Sequence, residues 1–271
     1  MSSDAVPPNT PPRLDAVQAE LRVALAANAQ LATQIAAAQA ELEDFTFSIS
    51  HDLRASLRHI TAYAGLIRED LGDQLPAGVA SHLDTVTHAA QHMGRMIDSL
   101  TELSRLGSAE LHVDPADMGC LINDVRAELA GESAARQIVW QVADDFPLVR
   151  GDAALIRQLW RHVLSNALKF TRPRASAQVQ VGWQWQPGPQ PESHEAPRAQ
   201  FFVQDNGVGF NAHFSHKMFH AFQRLHSARD FEGLGMGLAL SRKIVARHGG
   251  AIEVQGDLDA GCRISFTLPL A

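Results

Sequence analysis

Residues 233–241 read GLGMGLALS, three glycines at every second position, and the apolar-periodic run ALSRKIVARH (239–248) continues from them as a helix. Glycines at this spacing let backbone amides approach an anion, and a helix that opens directly behind them adds partial positive charge at its N-terminus. On its own the stretch is equally compatible with a flexible turn. Neither a Walker-type lysine motif nor the Rossmann glycine spacing occurs, so the usual nucleotide folds are not supported. Reading back from it, three further stretches stand out in order: FHAFQRLH (219–226), DNGVGF (205–210) and LSNALKFT (164–171).

Around these motifs, periodicity predicts helices near 117–130, 152–170 and 236–248, with strands near 138–142, 178–185, 200–204, 251–255 and 263–268. The pattern is that of an α/β (α+β) sandwich, with helices on one face of a mixed sheet. QPGPQPESHEAPR (186–198), between two strand-like runs, predicts a long exposed hairpin connection and carries no identifiable chemistry.

The N-terminal half has a different period. Leu14, Val17, Leu21, Ala24, Asn28, Leu31, Ile35, Ala38, Leu42, Phe45 and Ile49 alternate in steps of three and four, the heptad seam of a coiled coil. A polar Asn28 in such a seam can fix register and a two-stranded state. The helix runs on without a breaker through SISHDLRASLRHITAYAGLIRED. LGDQLPAG then makes a turn, and Leu83, Val86, Ala90, Met93, Ile97 and Leu100 mark the buried face of a second helix from about 79 to 106. Two amphipathic helices cannot close a core alone, whereas two copies form a four-helix bundle, so a homodimer is expected. Gly107 and Ser108 predict a hinge. The expected organisation is multidomain: a disordered polar segment 1–13, a coiled-coil signalling helix 14–45, an antiparallel helical hairpin 46–108 and a second domain 109–271.

The 271 residues are 45% hydrophobic and 20% charged, enough for separate cores. A net charge of −7 argues against a protein built to wrap nucleic acid. Cys120 and Cys262 lack zinc or disulfide spacing, which fits a reducing cytoplasm, and both are predicted as small core or strand residues. No stretch approaches the roughly 20 apolar residues of a membrane span, and the start MSSDAVPPNTPPR is not signal-like. A cytoplasmic chain is expected, served by a sensor module upstream of residue 1 or by a separate sensor protein.

In sequence and order, LSNALKFT, DNGVGF, FHAFQRLH and GLGMGLAL resemble the N, G1, F and G2 boxes of the histidine-kinase ATP-binding domain, a Bergerat-type fold shared with gyrase, MutL and heat-shock chaperone ATPases. SISHDLRASL (48–57) resembles the H box of the same kinases. The resemblance covers roughly residues 41–271, and its wording is most similar to kinases attached to phytochrome or PAS-type sensors. It implies a two-component protein-histidine kinase that uses ATP and Mg2+, autophosphorylates and passes the phosphoryl group to an aspartate of a response-regulator receiver domain.

Carried across by position, Asn166 would coordinate Mg2+, and Lys169 would meet a phosphate beside Phe170. Asp205 would accept a hydrogen bond from the adenine amine, with Gly207 and Gly209 letting the loop pass the base. Gly233, Gly235, Gly237 and Leu238 would line the phosphate end under a lid of about residues 212–232, with Arg224 reaching a phosphate from that lid. His162 stands where the family often has Asn. His51 would be the phosphoacceptor; it lies two residues past Ile49, off the apolar seam and toward solvent. Asp52 would be its general base, and Arg54 would screen phosphate charge. Ser56 replaces a frequent proline, which predicts a helix less prone to bend. Ala55 replaces the Thr or Asn of relatives that orient water, which predicts weak phosphatase activity. Two other readings share these residues: an ATPase or chaperone-like machine, against which the H box argues, and a non-catalytic dimeric signalling scaffold that retains the fold.

Overall fold

The computed structural model describes residues 14–133, 136–186, 197–227 and 229–271. The polar segment 1–13 and most of the connection predicted at 186–198 lie outside the described residues. Helix α1 spans Leu14–Leu71, 58 residues without interruption. Neither proline nor glycine falls in it before Gly65, and Thr33, Thr46 and Thr61 return their hydroxyls to the carbonyls four residues back. Gly72, at φ +44, starts the short turn into α2 (Ala77–Ser108). The two helices pack as a hairpin through Leu57, Ala64, Ala90 and Ile97, with Arg54 Nε 2.8 Å from Asp98 Oδ1.

Little else of the hairpin's apolar surface is covered. Leu21, Leu31, Ile35 and Leu42 on the heptad seam, and Ile49, Val86, Met93 and Leu100 nearer the turn, are all exposed. Gly107 and Ser108 do not form the predicted hinge. They remain helical, and the chain leaves α2 at Ala109, whose N–H still bonds Arg105 O. The cause is tertiary: Leu106 is buried in the core of the following domain and holds the last turn in place.

That domain begins with β1 (Asp114–Asp117) and α3 (Met118–Ser133), then β2 (Ile138–Val142), β3 (Leu148–Gly151) and α4 (Ala153–Phe170). β4 (Ala177–Gln186), β5 (Arg198–Asp205), α5 (Gly237–Arg247), β6 (Ile252–Asp257) and β7 (Gly261–Pro269) complete it. The main sheet has the order β2-β4-β5-β7-β6, parallel at β2/β4 and antiparallel elsewhere. The five predicted strands and three predicted helices are all present. β1 and β3, four residues each, pair antiparallel in a small separate sheet. In β4, Val179 and Val181 turn into the core while Gln178 and Gln180 face out, the period-2 pattern of a sheet covered on one side. Trp160 of α4 meets Phe201 and Phe266 edge-on at 6.0 and 5.0 Å. Cys120, expected in a core or strand, is exposed in the first turn of α3, where its N–H bonds Asp117 Oδ1. Cys262 lies in β7, half-buried. No helix among the described residues is long and apolar enough to cross a membrane.

One histidine fixes the frame around α4. The buried His248 accepts the Asp152 N–H at Nε2 (2.9 Å) and donates from Nδ1 to Ile244 O (2.8 Å), while Asp152 Oδ1 caps α4 through Ala154 and Leu155. His248→Ala leaves that buried N–H unpaired, so it is expected to lower stability by about 2 kcal/mol in urea denaturation.

Candidate active site

α4 is amphipathic in two directions. Ile156, Leu159, Trp160, Val163, Leu164, Ala167 and Leu168 face the core. His162, Asn166, Lys169 and Phe170, spaced at i, i+4, i+7 and i+8, fall on the adjoining side. They line a cavity of about 300 Å³ together with Asp205, Gly209, Arg224, Gly233, Gly235, Gly237 and Leu238. Residues from four motifs thus meet around one space, with Asn166 and Leu238 72 positions apart in the chain.

Asp205 ends β5 with its carboxylate buried and its Oδ1 accepting the Gly207 N–H at 2.8 Å. Burial pushes its pKa up to about 6, against the opposing pull of the Gly207 and Cys262 backbone N–H groups. Gly207 is not among the lining residues. A Cβ there would come 2.7 Å from Phe170 O, so its glycine is needed for the approach of the loop to the end of α4. Gly209, at φ +60, is held still more tightly, since a Cβ would fall 1.8 Å from Asp257 O.

His162 has its pKa lowered to about 4, chiefly by burial and then by Arg161, and is neutral at pH 7. Burial also lowers Lys169, which Glu232 partly offsets; its Nζ sits 4.4 Å from the centre of the Phe170 ring. The Asn166 side chain makes no hydrogen bond among the described residues. No cluster of three His, Cys, Asp or Glu able to hold a metal alone occurs among them either. An uncommitted amide oxygen in a site where no three such side chains converge fits a hard cation that arrives bound to phosphates and keeps most of its water. Arg224 is engaged within the segment predicted as a lid, bonding Phe231 O and, at 3.4 Å, Ser227 O.

Three contributors escaped sequence reasoning. Arg174 holds the loop after β5, donating to Asn206 O (2.8 Å), Gly207 O (2.9 Å) and Asp259 O (2.8 Å). Arg172 pairs with Glu232 of the lid at 2.5 Å, and this hydrogen bond holds the Glu232 carboxyl down to about 2. α2 supplies part of the wall through Ser99 and Glu102, the latter bonded to Gln158. The only sequence signal was the RPR at 172–174 directly behind the motif; the other contacts are nonlocal.

His51 lies outside this cavity, on the hairpin. Its side chain is 68% exposed, with Nδ1 3.2 Å from Asp52 Oδ1. The residue before it, Ser50, is buried against Thr101 (3.0 Å), which Arg54 also reaches at 3.3 Å. Ser56 bonds back to Asp52 O at 3.2 Å within a continuous helix, and Ala55 offers no polar atom.

Residues 151–271 match the histidine kinase-, DNA gyrase B- and HSP90-like ATPase family, and residues 41–109 match the His kinase A phospho-acceptor domain. With both domains in this order, the chain belongs to the sensor histidine kinases of two-component signalling. It is 31% identical over 240 residues to the methanogenesis regulatory histidine kinase FilI of Methanothrix harundinacea, covering 87% of this chain and 25% of that protein. It is also 31% identical to cyanobacterial phytochrome B of Nostoc sp., covering 89% of this chain and 31% of the relative. The chain therefore spans about a quarter to a third of these curated relatives. Full-length ShkA, solved in complex with AMPPNP, shares the fold with a TM-score of 0.59 at 24% identity, covering 84% of this chain and 46% of that one.

Proposed function

We propose that this chain transfers the γ-phosphoryl group of Mg-ATP to His51 and then to an aspartate of a response-regulator receiver. The observation that carries this reading is the convergence of Asn166, Lys169, Asp205 and the glycines of 233–237 on one cavity, in a chain that also presents an exposed His–Asp pair. Asp205 would accept from the base amine, Lys169 would meet phosphate oxygens, and Asn166 would hold the cation. The Mg2+ ion, when bound, neutralises charge on the phosphates. The hydrogen bond to Asp52 holds a proton on His51 Nδ1, which leaves the Nε2 lone pair free to form the N–P bond as the bond to ADP breaks. Asp52 then takes up the Nδ1 proton as general base, which discharges the positive charge that develops on the ring. Neutral His162 would hold a water or a cation ligand without repelling Mg2+.

The exposed seams of α1 and α2 support a homodimer, in which a second hairpin would cover them. The organisation proposed is a signalling helix to about residue 45, a phosphotransfer hairpin to 108 and an ATP domain beyond, served by an upstream sensor in a cytoplasmic setting. Incubation with Mg2+ and γ-labelled ATP is expected to yield acid-labile, base-stable label on the protein. Nucleotide binding without any label would overturn the kinase reading in favour of a signalling scaffold. Because Ala55 cannot orient water, loss of label from a phosphorylated receiver is expected to be no faster with this protein than without it.

A further inference from the structure

Three rings meet where the lid, the end of α4 and the loop after β5 converge on the cavity. Phe170 comes from α4, and His226 and Phe231 come from the lid. The ring centres are 5.3 Å apart for Phe170–His226, 5.0 Å for Phe170–Phe231 and 5.3 Å for His226–Phe231. His226 Nε2 lies 2.9 Å from Gly209 O. A carbonyl oxygen only accepts, so Nε2 carries the hydrogen and donates it. The acceptor is a fixed point, because Gly209 sits at φ +60 against Asp257 O with no room for a side chain.

His226 is thus the lid residue that reaches both the loop carrying Asp205 and the ring at the end of α4. Gly235 adds a second constraint on the same segment, since a Cβ there would meet Gln223 O at 2.5 Å, and the lid backbone packs directly on the glycine turn. Arg224 bonds carbonyls of the lid itself, so its hydrogen bonds do not anchor the lid to the rest of the domain.

We infer that His226 is a positioning residue: by donating to Gly209 and packing against Phe170 and Phe231, it latches the lid over the nucleotide and sets how long the nucleotide stays bound. The inference rests on the reading of this cavity as the ATP site. A latch that forms after the ligand has entered acts on release more than on capture.

The test is the dissociation rate of a fluorescent ATP analogue from the full chain, followed by stopped flow. His226→Phe keeps a ring and removes the donor, and is expected to speed release roughly five- to tenfold, the worth of one net hydrogen bond, with association little changed. His226→Gln restores a donor and is expected to fall between that variant and wild type. Trypsin cleavage after Lys217 and Arg224 in the presence of AMPPNP gives a second readout: nucleotide should protect wild type and fail to protect His226→Phe. Release and protection at wild-type levels in His226→Phe would overturn the latch, as would a glutamine variant as fast as the phenylalanine one. If His226→Phe does not fold, His226→Met removes the donor in its place. A wild-type protein that binds no nucleotide would sink the ATP-site reading instead.

Discussion

Substitution of His51 by glutamine is expected to abolish acid-labile labelling while leaving nucleotide affinity within about twofold of wild type, as is usual for sites that share no partners. The imidazole is two-thirds exposed, and Asp52 is the one hydrogen-bond partner its ring has among the described residues. Removing it opens no cavity and strands no buried group, so thermal stability should move by no more than about 0.5 kcal/mol. Glutamine matches the size of the side chain but has no basic nitrogen to attack phosphorus. Labelling assayed beside equilibrium binding of a fluorescent ATP analogue separates the two effects. Label persisting on His51→Gln would mean that another of the 13 histidines is the acceptor.

Asp205→Asn should separate stability from binding. The amide presents a mixed donor and acceptor where the proposed contact to the base amine needs an acceptor. The lost charge-assisted hydrogen bond, about 1.5–3 kcal/mol, corresponds to roughly 10- to 150-fold weaker nucleotide binding. The ligand-free protein should respond in the opposite sense. A carboxyl whose pKa is raised in the fold, from 3.8 to about 6, favours folding in its protonated form. Its stabilising contribution is fully present below the unfolded pKa and is lost as pH rises through about 6. Above that pH the ionised group costs about 3 kcal/mol. The asparagine variant escapes this cost, less whatever it loses by offering one acceptor oxygen in place of two, and should melt at or above the wild-type temperature at pH 8. Nucleotide affinity of the wild type should fall several-fold as pH drops through about 6, a fall that the variant should not show. Calorimetric melting and fluorescence titration across pH 5–8 check both arms.

The legible parts of this chain were those written in local periodicity. The heptads of 14–49 declare a continuous helix by period alone, since their seam is exposed in the single chain, whereas the 3.6-residue pattern of α4 and the alternation in β4 and β5 declare elements because one face of each packs on the core. β1 and β3 were missed because four-residue strands exist through their partner rather than through their own pattern. Gly107 was misread as a hinge because glycine's intrinsic freedom is overridden there by the anchoring of Leu106 in the neighbouring core. In the site, α4 spaced its residues visibly along one face. Arg174 at the back of the loop, Glu102 reaching across from α2 and His226 beneath Gly209 depend on contacts between distant segments, which no single stretch encodes.

The uninterrupted course of α1 bears on how His51 can be addressed. From Leu14 to His51 the chain is about 55 Å of unbroken helix at 1.5 Å per residue. Such an element behaves as an axle: a rotation imposed anywhere along it turns the imidazole by the same angle, since no joint lies between to absorb it. Each residue advances the azimuth by roughly 100°, so adding or deleting a single residue between a driving segment and the hairpin would turn that segment to a different azimuth relative to His51, whereas a change of seven would nearly restore it. The spacing between a driving segment and His51 is therefore a phase as well as a length.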